Sequence, residues 1–491
     1  MIFSEALRTV TYILYSLNII FAVIIIFIER HNPAVTWAWL MLLAFFPFFG
    51  FVIYLLLGMQ SRKYGIFVRK AKDDELIYNE FNALDYPGLS FVSDQKNFIE
   101  KKFFLHPKVP QYLSSMIYLN YKAGHGAFTS NNRLSFFYEG NTKFSALLDD
   151  IENAKHFIHI QYYIFRNDSF GRHVLQALVK KASEGVEVRM FVDGMGSMNA
   201  RGGFLSPLRK AGGKTAVFLP PYFIRVNYRN HRKLCIIDGH IGYIGGLNIG
   251  NEYVGKSKIG FWRDTHIRVI GDAVKQMELR FIMDWNFVKK KDRIPLESRY
   301  FPPIRDHETG AGMQIVSSGP DTKWASVHQG YAKMIYEAEK SIYIQTPYFV
   351  PDDSIFKALR IAALSDIDVR IVIPAHPDHP FVYWASLSYL GELLPAGIKC
   401  YEYTKGFIHS KLIIVDSVIS SVGTANMDVR SFDMNFETNA FIYDPEAAKE
   451  FENQFILDLD DCTEITQKLY DSRSHFTKIK ESVSRLLSPL L

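Results

Sequence analysis

One polar pattern occurs twice in this chain and limits its fold more than any other feature. From His231 the sequence runs His-Arg-Lys-Leu-Cys-Ile-Ile-Asp and, six residues later, Gly-Gly-Leu-Asn, ending at Asn248. From His409 it runs His-Ser-Lys-Leu-Ile-Ile-Val-Asp and, at the same internal spacing, Gly-Thr-Ala-Asn, ending at Asn426. The apolar runs Leu234 to Ile237 and Leu412 to Val415 are too short for helices and read as fully buried strands. His and Lys, two apart on such a strand, share a face. An imidazole and an ammonium presented together from a buried strand are costly unless both meet an anion. The simplest reading is one site built from two copies.

The repetition extends beyond the motif. Ala154 to Phe165 parallels Ala338 to Phe349, and Val186 to Val192 parallels Ile367 to Ile373. Helical stretches from Arg172 to Ser183 and from Asp353 to Ala363 lie between these β-rich runs. Each half therefore reads helix, strand, helix, strand and then the His-x-Lys strand. That order predicts an α/β fold of two pseudo-symmetric lobes, each a mostly parallel sheet flanked by helices. Lys289 to Arg293, Pro302-Pro303 and Gly310 to Gly312 mark the linker, giving lobes at 131–295 and 296–491. A pseudo-two-fold axis would bring the repeated strands face to face.

Ahead of the lobes, Thr9 to Ile28 carries no charge, and at about 1.5 Å per residue is long enough to cross a bilayer as a helix. Ala34 to Leu57 is a second uncharged stretch, with Trp37, Trp39 and Tyr54 toward its ends and Pro47 and Gly50 inside it, both tolerated in membrane helices. The first stretch is too long, and too closely followed by the second, for a cleaved signal peptide. A two-helix transmembrane hairpin over 1–60 is the expectation. Arg62, Lys63, Arg69, Lys70 and Lys72 follow it, which by the positive-inside rule puts both termini and the catalytic part in the cytoplasm. Residues 61–130 read as a juxtamembrane linker region, with turns at His106-Pro107 and Gly124 to Gly126. At the other end, Phe476, Ile479, Val483, Leu486, Leu487 and Leu490 recur at helical spacing opposite Lys478, Lys480 and Arg485. Such a helix either lies in the membrane interface or docks on its own domain.

The formal charge of +5 suits an anionic membrane or a phosphate substrate. Cys235, Cys400 and Cys462 form no Cys-x-x-Cys pair, so neither disulfides nor a zinc site is indicated. Chemistry at a phosphodiester needs cationic donors on the non-bridging oxygens and, without a metal, a side-chain nucleophile. Lys233, Lys411, Asn248 and Asn426 supply donors. Their cationic lysines stand where a hard metal would want carboxylates, so no metal and no cofactor are expected.

With these residues in place the chain resembles the phospholipase D superfamily with two HKD motifs, and most closely the bacterial cardiolipin synthases. The superfamily resemblance covers roughly 130–445; the stretch Asn32 to Trp39 and Pro47 to Gly50, running on to Tyr54 and Gly58, is similar to the N-terminal segment of those synthases. The resemblance implies that His231 attacks phosphorus to form a phosphohistidine, while His409 acts as acid and then base; the residues alone leave the reverse open. It also implies Asp264 and Glu437 as the carboxylates orienting His231 and His409, respectively. Asp238 and Asp416, five residues beyond each Lys and so on the opposite face, are expected to tie strands and lobes together. His156, His159, His240 and His266 read as structural, and His376 and His379 as loop residues near the mouth of the site.

The activity so implied is condensation of two phosphatidylglycerol molecules into cardiolipin and glycerol at the bacterial cell membrane. A phospholipase D giving phosphatidic acid and a non-catalytic membrane scaffold are the alternatives. A nuclease would have no use for two spans, and the chain lacks obvious basic-aromatic patches, so no nucleic-acid partner is expected. The sequence leaves the oligomeric state open.

Overall fold

The computed structural model describes residues 12–488 except for 14, 24, 30–32, 55–64, 90, 93–94, 96–109, 201–202, 220–227 and 305–309. In chain order the first half supplies β1 (Thr129–Glu139), β2 (Phe157–Tyr162), β3 (Glu187–Asp193), β4 (Lys214–Phe218), β5 (Leu234–Ile237), β6 (Ile241–Gly245) and β7 (Phe261–Ile270). The second supplies β8 (Ala311–Ser318), β9 (Ser341–Gln345), β10 (Phe349–Val350), β11 (Asp368–Pro374), β12 (Lys399–Tyr403), β13 (Gly406–Ile408), β14 (Leu412–Val415), β15 (Ile419–Gly423), β16 (Met427–Asp428), β17 (Glu437–Tyr443) and β18 (Cys462–Glu464). β10 and β16 pair with each other, and the rest form one sheet in the order β18-β12-β11-β9-β14-β15-β17-β8-β1-β7-β6-β5-β2-β3-β4, with β13 added to β7. The two lobes thus share a sheet, joined where β1 runs antiparallel to β8.

Each lobe's sheet is mixed, which corrects the expectation of a mostly parallel one. Pairs linked by a crossover helix are parallel, β2 with β3 and β9 with β11. From the His-x-Lys strands onward the pairing is antiparallel, β5 with β6 and β14 with β15. The cause is a tight turn after each motif: Asp238 (φ 52°) and Gly239 (φ 67°) in one, Asp416 (φ 56°) and Ser417 (φ 54°) in the other. Two successive left-handed residues belong to hairpin turns and turn the chain straight back.

These turns also place the two motif aspartates. The Asp238 carboxylate accepts from the N–H groups of Lys155, His156 and Phe157 at 2.8, 2.7 and 2.8 Å. Asp416 does the same with Glu339, Lys340 and Ser341. Each pins its hairpin to the start of the adjacent strand in its own lobe, which bears out a tie between strands and corrects the expectation of a tie between lobes.

The motif strands are apolar on both faces because each separates two cores. Leu234 and Ile236 of β5, with Leu412 and Ile414 of β14, enter a core shared by both lobes. Cys235 and Ile237 enter the outer core of the first lobe, and Ile413 and Val415 that of the second. The helices Ser169–Ser183 and Asp353–Leu364 begin at Asp168 and Asp352, whose carboxylates cap the N–H groups of Gly171 and Ile355.

The helix Gly65–Ala83 sends Phe67, Ile77 and Phe81 into the shared core. Arg69 and Lys72 are exposed on it, but Lys70 is not part of a solvated charge run. It is buried, with Nζ 2.6 Å from Asp74, 3.2 Å from Asp284 and 2.6 Å from Asp321. Arg280 and Arg232 complete this cluster of three cations and three carboxylates. Arg62, Lys63 and the His106-Pro107 turn lie outside the described residues, as do Leu55 to Gly58 and the residues before Tyr12.

Nearer the N-terminus, the helices Pro33–Phe45 and Pro47–Ile53 are separated at Phe46, as a following proline favours. Asn18 donates to the carbonyls of Leu43 (3.3 Å) and Pro47 (3.1 Å), and Phe21 and Trp39 each meet Tyr54 edge-on at 5.4 Å. Among the described residues, no helix is long and apolar enough to cross a membrane.

Breaking a buried ion cluster leaves an uncompensated charge, at a cost of about 3–5 kcal/mol. Lys70→Met is therefore expected to lower the melting temperature in detergent, and Lys70→Met combined with Asp321→Asn, which restores neutrality, to recover most of it.

Candidate active site

The chain alternates through the first motif, and its contacts show which way each residue points. Asn230 and Arg232 face away from the cleft toward Asp284, with Arg232 Nη1 2.6 Å from its carboxylate. His231 and Lys233 take the other face. His231, Asn248, His409 and Asn426 line one cleft of about 930 Å³ between the lobes, together with Tyr163, Tyr253 and Trp262. Lys233 and Lys411 lie behind them, almost fully buried.

The two imidazoles are set by matching backbone contacts that cross between lobes. The His231 N–H donates to the Phe436 carbonyl at 3.0 Å, and the His409 N–H to the Arg263 carbonyl at 2.7 Å. In each case the residue after that carbonyl carries the carboxylate that holds the ring. His231 Nδ1 lies 3.0 Å from both oxygens of Glu437, and His409 Nδ1 lies 2.7 Å from Asp264 Oδ2. This reverses the expected assignment of Asp264 to His231 and Glu437 to His409. The strand segment before each motif pairs with the carboxylate-bearing segment of the other lobe, by the Asn230–Phe436 bridge and by β13 on β7. Spacing along the chain does not reveal that exchange. With Nδ1–H donated to a carboxylate, Nε2 is left for the cleft.

The remaining donors are held near by. Lys233 Nζ donates to the His231 carbonyl at 2.6 Å, and Lys411 Nζ to that of His409. The Asn248 side chain accepts from the Ile164 N–H (3.0 Å) and donates to the Tyr253 hydroxyl (3.0 Å). Asn426 Oδ1 is buried and, among the described residues, has no hydrogen-bond partner.

One difference between the copies falls beside the carboxylates. A Cβ on Gly246 would lie 2.0 Å from Asp264 Oδ1, so the glycine makes room for that carboxylate. Thr424 takes the same place in the second copy and donates its hydroxyl to Glu437 Oε2 at 2.5 Å. Thr424 and Tyr163, whose ring lies 4.9 Å from His231 and 5.4 Å from Lys233 Nζ, are site residues that sequence reasoning missed, as it missed Arg232, which holds the Glu437 strand from the face turned away from the cleft. The signals were present: a hydroxyl at a motif glycine, and a third cation between His and Lys.

Other histidines divide plainly. His159 is buried, 2.7 Å from Glu278 and stacked on Phe281. His266 is buried and His156 exposed, while His379 lines the cleft and His376 does not.

Burial dominates the electrostatics. It pushes His231 down to about 4, with Lys233 and Lys411 adding to the effect and Glu437 opposing it. His409 is held well below its ordinary value by burial and by Lys411 and Lys233. Burial lowers Lys411 to about 8 and Lys233 well below the usual lysine range, and raises Asp264 to about 7 despite Lys411. Burial holds both lysines and both imidazoles down although carboxylates lie close by, so an oxyanion bound in the cleft is expected to restore the charge on these groups.

Residues 147–285 and 331–459 match the family described as cardiolipin synthase, PLD-like domain, and residues 16–58 match that described as Phospholipase_D-nuclease N-terminal. The chain is 47% identical over 485 residues to a cardiolipin synthase of Oceanobacillus iheyensis, covering 97% of this chain and 98% of the relative. It is 46% identical over 490 residues to a cardiolipin synthase of Staphylococcus aureus, covering 97% and 95%. Among solved structures, the phosphatidylserine synthase of Haemophilus influenzae aligns over 77% of this chain and 100% of its own, with a TM-score of 0.59 and 13% identity, a likeness of fold.

A group whose pKa rises on binding takes up a proton, so affinity falls as pH climbs through its free value. For Lys411 that value is about 8. Tungstate, whose charge is constant in this range, is expected to bind about fivefold more weakly at pH 9 than at pH 8 through Lys411 alone, with proton uptake seen by calorimetry in buffers of different ionisation enthalpy.

Proposed function

The chain belongs to the cardiolipin synthase family with phospholipase D-like domains, and from that premise we propose that it transfers a phosphatidyl group between two phosphatidylglycerol molecules, giving cardiolipin and glycerol. The observation that carries the reading is the pair of crossed His–carboxylate contacts in one cleft, at 3.0 Å for His231 and 2.7 Å for His409.

In the first step His231 Nε2 attacks phosphorus and the P–O bond to the headgroup glycerol breaks, giving a phosphatidyl-histidine. His409 donates its Nε2 proton to the departing glycerol oxygen. It must be an imidazolium to do so, and the bound phosphodiester supplies the negative charge that protonates it. In the second step His409 takes the proton of a glycerol hydroxyl on the second lipid, whose oxygen attacks phosphorus and frees His231. Lys233, Lys411, Asn248 and Asn426 hold the non-bridging oxygens as charge builds there. Glu437 supports the His231 imidazolium and Asp264 that of His409.

Both substrates are bilayer lipids, and a membrane anchor would raise their effective concentration at the cleft. In this reading the N-terminal segments form a two-span hairpin in the bacterial cell membrane, with the lobes on the cytoplasmic side. The uncharged stretches and the contacts of Asn18 with Leu43 and Pro47 support the hairpin.

Purified protein given labelled phosphatidylglycerol alone is expected to yield cardiolipin and glycerol; phosphatidic acid would mean hydrolysis, and no turnover a scaffold. In acid-quench trapping, His231→Ala should abolish the phospho-enzyme, whereas His409→Ala should let it accumulate. The crossed contacts extend this: Glu437→Ala is expected to behave like the His231 variant and Asp264→Ala like the His409 variant, each losing about 10²–10⁴ in rate.

A further inference from the structure

The C-terminal helix His475–Leu486 is docked by its polar face. Glu481, Ser484 and Ser488 are 3%, 1% and 5% exposed, whereas Phe476, Ile479, Val483 and Leu486 are 66%, 59%, 48% and 81% exposed. At about 100° per residue the four apolar side chains fall in one arc and the three buried polar ones in another, nearly opposite. The docked side is fixed by ions. Arg485 pairs with Glu392 of the helix Pro380–Leu393, and Glu481 lies 3.0 Å from Arg473. A helix normally turns its apolar stripe inward. Leaving four such side chains in water forgoes the gain of burying them, so this face calls for a cover.

Its surroundings say which. Lys478 and Lys480 flank the apolar arc, and Lys480 Nζ lies 4.4 Å from the Phe476 ring centre and 4.9 Å from that of Trp384. Trp384 is one turn beyond Phe381, which is 56% exposed and lines the cleft. An apolar strip edged by lysine thus runs from the tail helix to the mouth of the site. Two copies of this face would bring lysines together, whereas an anionic bilayer offers them phosphates and offers the apolar arc acyl chains.

We propose that the helix His475–Leu486 lies in the headgroup–acyl boundary of an anionic bilayer, with Phe476, Ile479, Val483 and Leu486 inserted, and so sets the Phe381 edge of the cleft against the lipid surface. The cover is the substrate-bearing membrane itself, so a lipid need travel only a short way to enter.

The test uses the full chain in vesicles, with Cys462→Ser removing the one cysteine that is not buried. A bimane label is placed by Ile479→Cys or by Lys478→Cys, an exposed position about 100° round the helix and outside the apolar arc. In phosphatidylglycerol vesicles the label at 479 is expected to be quenched several-fold more by acyl-chain nitroxide lipids than the label at 478, and to be shielded from iodide. Equal quenching at both sites would overturn the proposal. So would quenching at 479 that does not fall when phosphatidylcholine replaces phosphatidylglycerol, or shielding that appears in lipid-free detergent as protein concentration rises, the mark of a second copy. Failure of the wild-type protein to make cardiolipin would remove the transferase reading and leave this quenching pattern intact.

Discussion

Two backbone hydrogen bonds that cross between the lobes govern the geometry of the site. They run from His231 N–H to the Phe436 carbonyl and from His409 N–H to the Arg263 carbonyl. Each fixes one imidazole beside the carboxylate of the next residue, so the ring positions are properties of strand register rather than of side-chain choice. A shift of one residue would turn the carboxylate to the opposite face. Neither motif histidine takes its carboxylate from its own lobe.

The same molecule treats two groups of buried charge differently. Behind the motif, Lys70, Arg232 and Arg280 meet Asp74, Asp284 and Asp321 in equal number. In the cleft, Lys233 and Lys411 donate to carbonyls, and Glu437 and Asp264 are bonded to the histidines and not to the lysines. The first arrangement is complete without a ligand and holds the strand in place. The second leaves its cations depressed by burial, a state that an oxyanion would relieve. Arg232 links the two, pairing with Asp284 while its Nε donates to the Glu437 carbonyl and the Thr438 hydroxyl.

Much of this was legible because the repeat is polar, spaced alike in both copies and set in strands apolar throughout. The donors could be named from it, and both carboxylates from the family resemblance it supports. Which carboxylate serves which histidine could not, since spacing carries no information on which lobe a strand segment pairs with. The mixed sheet was missed although Asp238-Gly239 is a hairpin signal. The motif drew attention to the aspartate as a site residue rather than to the turn. Lys70 was misread because it sits in a run of basic residues, and the helix turns it inward while Arg69 and Lys72 stay exposed. At the C-terminus the amphipathic pattern was plain, but which face docks depends on Glu392 and Arg473, far from the apolar stripe in function though close in space.

The central claim is that the two motifs form one oxyanion site with exchanged carboxylates, and a crystal structure of the full chain with tungstate tests it most directly. The account predicts one anion held by Nε2 of both His231 and His409 and by Lys233 and Lys411, with Glu437 on His231 and Asp264 on His409. Two anions, one per lobe, or Asp264 bonded to His231, would contradict it.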